Sequence, residues 1–207
     1  MRDAEIRLAE VEDARSILEI YAPYVSNTAL TLTSKIPTLE QVVQTMLDVK
    51  KHYPYLVCCE EGKVVGFAYA FRLRPHEAYR WNADLAIYID PRFQGMGIAT
   101  ALYTALLQIL KSQGFCNLYA VITLPNDASV ALHKHFGFKE LTVMKQSGFK
   151  LGSWHDDLYM GMNIPGCVDP AQFGRPLLMN KLNKNELATT LAMSTALLNG
   201  TRKNGDA

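Results

Sequence analysis

The chain reads Gln94-Gly95-Met96-Gly97-Ile98-Ala99-Thr100 between an alternating run and a helical one. Two glycines let the backbone turn tightly there, with only hydrogen at each Cα. The first N–H groups of the following helix have no acceptor inside it and carry the positive end of its dipole. Such an arrangement binds an anion, phosphate above all, although an ordinary strand-to-helix turn has the same spelling. Downstream, Asn126, Ser129 and His133 stand three and four residues apart and so share one face of a short helix. His135 falls on another side of that helix, which argues against a metal pair. Upstream, Arg72, Arg74, His76 and Tyr79 crowd one loop. Guanidinium forks match carboxylate or phosphinate oxygens two at a time, so Arg72 and Arg74 are candidates to hold an anionic substrate. Tyr79 and Trp81 could wall the same pocket. Trp154-His155-Asp156 spells either a histidine oriented by a carboxylate or a turn held by local side-chain bonds.

These residues need elements to position them. Residues 4–10 alternate as a first strand, and Asp13 could cap a helix carrying Ile17, Ile20, Tyr21 and Tyr24. Thr38 opens a second helix with Val42, Val43, Met46 and Val49 as its stripe. Tyr55 to Cys59 is a short strand, Glu61-Gly62 a hairpin turn, and Lys63 to Arg72 the returning strand. Leu85, Ile87 and Ile89 alternate with Ala86 and Tyr88 as the strand before the glycine turn. Ile98, Leu102, Leu106, Ile109 and Leu110 follow at helical spacing, with Gly114 as the stop. Asn117 to Thr123 is another strand, Ala128 to Phe136 the short helix, and Phe138 to Met144 and Asp157 to Met162 two more strands. The order is mixed α/β with several consecutive antiparallel strands. Pro165 marks the end of the domain, so residues 1–164 form one unit and 165–207 an extension. Its helix is expected over about 185–199, with Leu187, Leu191 and Leu198 on a stripe broken by Ser194 and Asn199-Gly200 as the stop.

Composition narrows the function. The 21 basic and 20 acidic residues leave a formal net charge of +1, too little for a long-range field toward nucleic acid or an anionic membrane. The start is charged and lacks the apolar run of a signal peptide, and no apolar stretch reaches the ~20 residues of a membrane span. The expectation is a cytoplasmic protein. Cys58 and Cys59 would point to opposite faces of a strand, while Cys116 and Cys167 stand alone; all four read as buried free thiols without metal-ligand spacing. A P-loop needs Gly-Lys-Ser/Thr, whereas Ile98 follows Gly97, and Thr100 stands where a dinucleotide fingerprint needs a third glycine.

The remaining pattern resembles the GNAT acetyltransferase superfamily. Gln94-Gly95-Met96-Gly97-Ile98-Ala99 on a strand–turn–helix is similar to its acetyl-CoA pyrophosphate loop. Asn126-Asp127-Ala128-Ser129, followed by residues 132–138, matches its second conserved-type segment. Ala78-Tyr79-Arg80-Trp81, Leu124-Pro125-Asn126-Asp127, Gly148-Phe149-Lys150 and Trp154-His155-Asp156 bring it nearest to the phosphinothricin and methionine-sulfoximine N-acetyltransferases. The likeness spans about residues 4–164. It implies a GNAT fold, with a mixed, mostly antiparallel sheet flanked by helices. It also implies acetyl-CoA as cosubstrate without a metal, a small amine substrate and a homodimer.

By that resemblance the backbone around Ile87, Tyr88 and Ile89 pairs with the pantetheine arm, the amides of residues 94–100 wrap the pyrophosphate, and Asn126 and Ser129 line the arm. Relatives place a glutamate base at the start of this strand; Asp84 matches its position, one methylene shorter, and could instead be a strand-end carboxylate in a structural hydrogen bond. His133 matches the family position that protonates the leaving thiolate, and a buried histidine satisfied by a neighbour is the other reading. Leu32 stands where relatives have an aromatic in the first variable loop, and His155 lies in the loop that in relatives adjoins the substrate. The implied substrates are methionine sulfoximine, methionine sulfone or phosphinothricin, with another small amine, a protein N-terminus or a non-catalytic acetyl-CoA sensor as alternatives.

Overall fold

Alternation builds one seven-stranded sheet, and a computed structural model describes residues 4–167 and 174–205 of it and its surroundings. The strands are β1 (Ala4–Leu8), β2 (Tyr55–Glu60), β3 (Lys63–Arg72), β4 (Asn82–Ile89), β5 (Asn117–Thr123), β6 (Lys139–Lys150) and β7 (Ser153–Asn163). Their order is β1-β2-β3-β4-β5-β7-β6, antiparallel throughout except for β4 beside β5. The helices are α1 (Ala14–Asn27), α2 (Leu39–His52), α3 (Ile98–Gln113), α4 (Asp127–His135) and α5 (Lys184–Gly205).

Strand β2 shows how the sheet is covered. Leu56 and Cys58 enter the core beneath α3, whereas Val57 and Cys59 enter a second cluster with Ile17 and Ile20 of α1 and Met46 of α2. Strict period-two alternation thus feeds both layers, and the neighbouring cysteines face opposite ways as expected. Helix α3 is apolar on most of its circumference, with Ala101, Leu102, Leu106 and Leu110 wholly buried. Thr38 caps α2 by accepting from the Gln41 amide, and Gln41 returns a bond to the Thr38 amide.

Four expectations need correcting. Asp13 precedes α1 but makes no side-chain cap; its carboxylate takes two bonds from Arg7 and one from the Glu10 amide, which are stronger partners. The β6–β7 hairpin is longer than its apolar pattern suggests, running to a two-residue turn at Leu151-Gly152, both with positive φ. A register shift between Met144 and Gly148 takes up residues 145–147 and lets Gly148–Lys150 pair again. Helix α5 continues past Gly200 to Gly205, because tertiary packing overrides the ~1 kcal/mol penalty of a helical glycine. Finally, Cys116 and Cys167 are joined as a disulfide, tying the extension to the start of β5. Their separation of 51 residues gave no sign of this in sequence.

Candidate active site

Strands β4 and β5 pair only at Asn82–Asn117, Ala83–Leu118 and Asp84–Tyr119. Past Asp84 they part, although β4 stays paired with β3 as far as Ile89. The edge of Leu85–Ile89 that faces β5 therefore has no strand to bond, and its N–H and C=O groups border an open cleft. The cleft widens into a cavity of about 880 Å³. Residues 84–89 form one wall, Ala120–Ile122 and α4 the other, and the glycine turn closes one end.

That turn is shaped by its ends. Asp90 accepts from the Arg92 amide and ion-pairs with its guanidinium, so the charge of Arg92 is already matched. Gln94 donates to the Tyr24 hydroxyl, which in turn donates to the Ile89 carbonyl. Gly95 and Gly97 have φ of 76° and 77°, the left-handed region that a side chain would strain. The first bond of α3 runs from the Ala101 amide to the Gly97 carbonyl. The amides of Ile98, Ala99 and Thr100 are thus helix-start donors without a helical acceptor, and Gln94, Gly95 and residues 97–100 line the cavity.

Asp84 sits where the strands begin to part. Its carboxylate accepts from the Leu85 amide, and burial pushes its pKa up to about 6. Phe71 of β3 stands opposite it in the strand register, and Tyr69 of β3 together with Tyr21, Tyr24 and Tyr88 lines the same cavity. Tyr21 and Tyr24 meet the Tyr88 ring edge-on at 4.8 and 5.2 Å.

Helix α4 presents Asn126, Ser129 and His133 to the same cavity. The side-chain oxygen of Asn126 caps the helix on the Ser129 amide, which leaves its NH₂ group for a ligand. His133 is buried, with Nδ1 2.7 Å from the Ser129 carbonyl and Nε2 2.8 Å from the Tyr103 hydroxyl. A carbonyl can only accept, so Nδ1 carries the proton and Nε2 accepts from Tyr103. Burial lowers the imidazole pKa, which keeps the ring neutral.

The structure brings Asp84, Ile87–Ile89, Gln94, Gly95, Gly97–Thr100, Asn126, Ser129 and His133 to one cavity. It leaves the other substrate candidates outside the cavity lining. Arg72 is turned onto the carbonyls of Arg74 and Pro75, and the Arg74 guanidinium lies over the Tyr79 ring at 5.8 Å. Trp81 donates to the Gly174 carbonyl beneath the Arg80 guanidinium. Leu32 faces β6, filling the space beside Gly148 so closely that an added Cβ there would clash with it. His155 bonds Ser153 and the Lys150 carbonyl, while Asp156 binds Lys145 and the Gln146 amide. That segment lies in strand β7 rather than in a turn, and His155 is held by Ser153 and the Lys150 carbonyl, not by Asp156. Met96 does not line the cavity either. Sequence reasoning missed Tyr69, Phe71 and Tyr103, and read Tyr21 and Tyr24 only as buried. The available signal was a tyrosine on the buried face of an apolar helix, whose hydroxyl must find a partner.

The profile of the Acetyltransferase (GNAT) domain matches residues 6–159. The chain belongs to the GNAT acetyltransferase family. Among relatives, phosphinothricin N-acetyltransferase of Streptomyces viridochromogenes is 34% identical over 155 residues, 75% of this chain and 85% of that one. An L-methionine sulfoximine/L-methionine sulfone acetyltransferase of Pseudomonas paraeruginosa is 33% identical over 164 residues, 78% of this chain and 95% of that one. Among solved structures, a GNAT superfamily phosphinothricin acetyltransferase from Sinorhizobium meliloti in complex with AcCoA superposes with a TM-score of 0.76 at 32% identity. It covers 88% of this chain and 97% of that one. This GNAT chain is therefore an acetyl-CoA-dependent N-acetyltransferase, and its seven-stranded α/β sheet is the GNAT fold. No helix among the described residues is long and apolar enough to cross a membrane.

Proposed function

We propose that this enzyme acetylates the primary amine of a small amino acid or analogue of the methionine sulfoximine, methionine sulfone or phosphinothricin type. The observation that carries the reading is the parting of β4 and β5 at Asp84. One unpaired strand edge, one carboxylate and one ring of helix-start amides then share a cavity. The strand edge suits the amide groups of a pantetheine arm, and the amides of residues 98–100 suit a pyrophosphate. Acetyl-CoA-bound relatives and their named substrates support the same assignment.

The step is direct transfer. Asp84, with its pKa raised to about 6, is a carboxylate at neutral pH and basic enough to take one proton from the ammonium, directly or through a water. The freed lone pair attacks the thioester carbonyl carbon. A backbone N–H near Ile87 stabilises the oxyanion. The C–S bond then breaks, and the second amine proton is the one the thiolate takes up. His133 has both nitrogens engaged, so its contribution is to hold Tyr103 and the cavity floor in place.

A second reading follows from the cavity walls. Among its described lining residues there is no Lys or Arg, and Tyr and Phe rings line it together with the carboxylate. That favours a small amine without a carboxylate of its own, its ammonium resting on ring faces. A panel of methionine sulfoximine, methionine sulfone, phosphinothricin, ordinary amino acids, their amides and simple amines, followed by free CoA release, decides between them. Turnover confined to amides and simple amines establishes the second reading. No turnover with any of these classes removes both.

The homodimer expected from the resemblance has support in β6 and β7. Strand β6 is the sheet edge, and Leu141, Met144, Phe149, Leu151 and Trp154 are exposed along the hairpin, more apolar surface than an isolated edge strand ordinarily shows. Use of acetyl-CoA supports a cytoplasmic setting.

A further inference from the structure

Helix α5 lies beyond the residues that the family profile matches, yet it reaches the cofactor loop. Leu187, Leu191, Ser194 and Leu198 recur at helical spacing. Leu198 is wholly buried against the core beneath α3. At the sheet edge the helix replaces a strand: Thr195 accepts from the Ile6 amide at 2.9 Å, and Asn199 donates to the Ala4 carbonyl at 3.1 Å. Both groups belong to β1, whose outer edge has no strand beside it among the described residues. One turn further on, α5 meets Gly97. A Cβ there would lie 3.5 Å from Thr201 Oγ1 and 3.8 Å from Leu198 Cδ1. The helix is therefore fixed at β1 and brings Leu198 and Thr201 alongside Gly97, the N-cap of α3, with room between them for about one Cβ.

We infer that Leu198 and Thr201 are positioning residues for the pyrophosphate loop, holding Gly97 in its left-handed conformation so that the amides of residues 98–100 are already aimed before acetyl-CoA arrives. A glycine at positive φ has alternatives that a side chain would not have, so an unsupported loop would spread over several shapes. Binding would then include the ordering of that loop, which pre-organisation by α5 removes. The Thr201 hydroxyl donates to the carbonyls of Leu197 and Leu198, which fixes its rotamer beside Gly97 although the residue is otherwise exposed.

This inference rests on the reading that the loop receives the pyrophosphate, and the experiment separates the two. Kinetics are measured with acetyl-CoA and with S-acetyl-pantetheine, which has the same reacting arm and no pyrophosphate. Wild-type enzyme should prefer acetyl-CoA strongly in kcat/KM; equal use of both thioesters would remove the loop reading itself. Given that preference, Leu198→Ala and the milder Thr201→Ala should raise the acetyl-CoA KM about fivefold, a size usual for coupling between packed elements, with kcat held. Their kcat/KM for S-acetyl-pantetheine should stay at the wild-type value. Met193→Ala, on the exposed side of the same helix, should behave as wild type with both. If either variant folds and keeps the full wild-type preference, or loses rate equally with both thioesters, α5 does not position the loop.

Discussion

Tyr103 of α3 donates its hydroxyl to Nε2 of His133 on α4 at 2.8 Å, between two elements far apart in the chain. The bond fixes the tautomer of His133 and joins the helix behind the cleft to the helix that lines it. Tyr103→Phe leaves a buried ring nitrogen without a donor, a loss of about 1–3 kcal/mol measurable by urea unfolding. Unchanged stability would mean that His133 finds another partner. A fall in turnover beyond about a hundredfold, with stability kept, would place this pair in the proton path instead.

The same histidine sets a pH dependence of stability. Burial holds its pKa in the folded protein below the ordinary value, so the unfolded chain takes up its proton first as pH falls. Its stabilising contribution is therefore complete above about 6.5 and is lost progressively below it. Thermal melts from pH 8 to 5 should show this decline, and His133→Phe should flatten that part of the curve. An equally steep decline in the variant would assign it elsewhere.

Asp84 carries the opposite shift. Its pKa of about 6 predicts that kcat/KM rises as pH passes 6, because only the carboxylate can take the amine proton. Asp84→Asn should lower turnover by roughly 10²–10⁴-fold and abolish that limb, with acetyl-CoA affinity little changed. Wild-type turnover in the variant would leave Asp84 a strand-end carboxylate bonded to the Leu85 amide.

Gly95 tests the turn without touching α5, since a Cβ there would meet nothing within 4 Å. Gly95→Glu adds strain at φ 76° and a negative charge beside the expected pyrophosphate. The acetyl-CoA-induced rise in melting temperature should disappear. A full ligand-induced rise would move the pyrophosphate away from this turn.

Lys150 is buried and donates to the Thr31 carbonyl at 2.6 Å, pinning the loop whose Leu30, Thr31 and Thr33 line the cavity. Lys150→Met keeps the stem and removes the donor. The amine KM should rise roughly five- to thirtyfold, as expected for an unpaired buried carbonyl worth about 1–2 kcal/mol. The acetyl-CoA KM should hold; equal rises in both would indicate general loosening.

How much was legible beforehand depended on the range of each interaction. Glycines 95 and 97, the alternation of residues 85–89 and the spacing of Asn126, Ser129 and His133 are local signals, and each landed on the cavity. Capping shows the limit of local reading. Thr38 caps its helix with a residue three positions away, whereas Asp13 was diverted by Arg7 across a different element. The arginines failed for a similar reason: a guanidinium in a loop can find carbonyls close at hand, and Arg72 does so with Arg74 and Pro75 rather than turning to the cavity.

By itself, then, the chain determined its strands and helices, its GNAT membership and the turn that suits a pyrophosphate, because period, glycine placement and helix-start geometry act over a few residues. Only the tertiary structure decided where β4 leaves β5 and so exposes Asp84. It also decided which tyrosines share that carboxylate's cavity, that Cys116 meets Cys167, and that α5 comes to lie beside Gly97. Those depend on contacts between residues dozens of positions apart, whose closing no local pattern encodes.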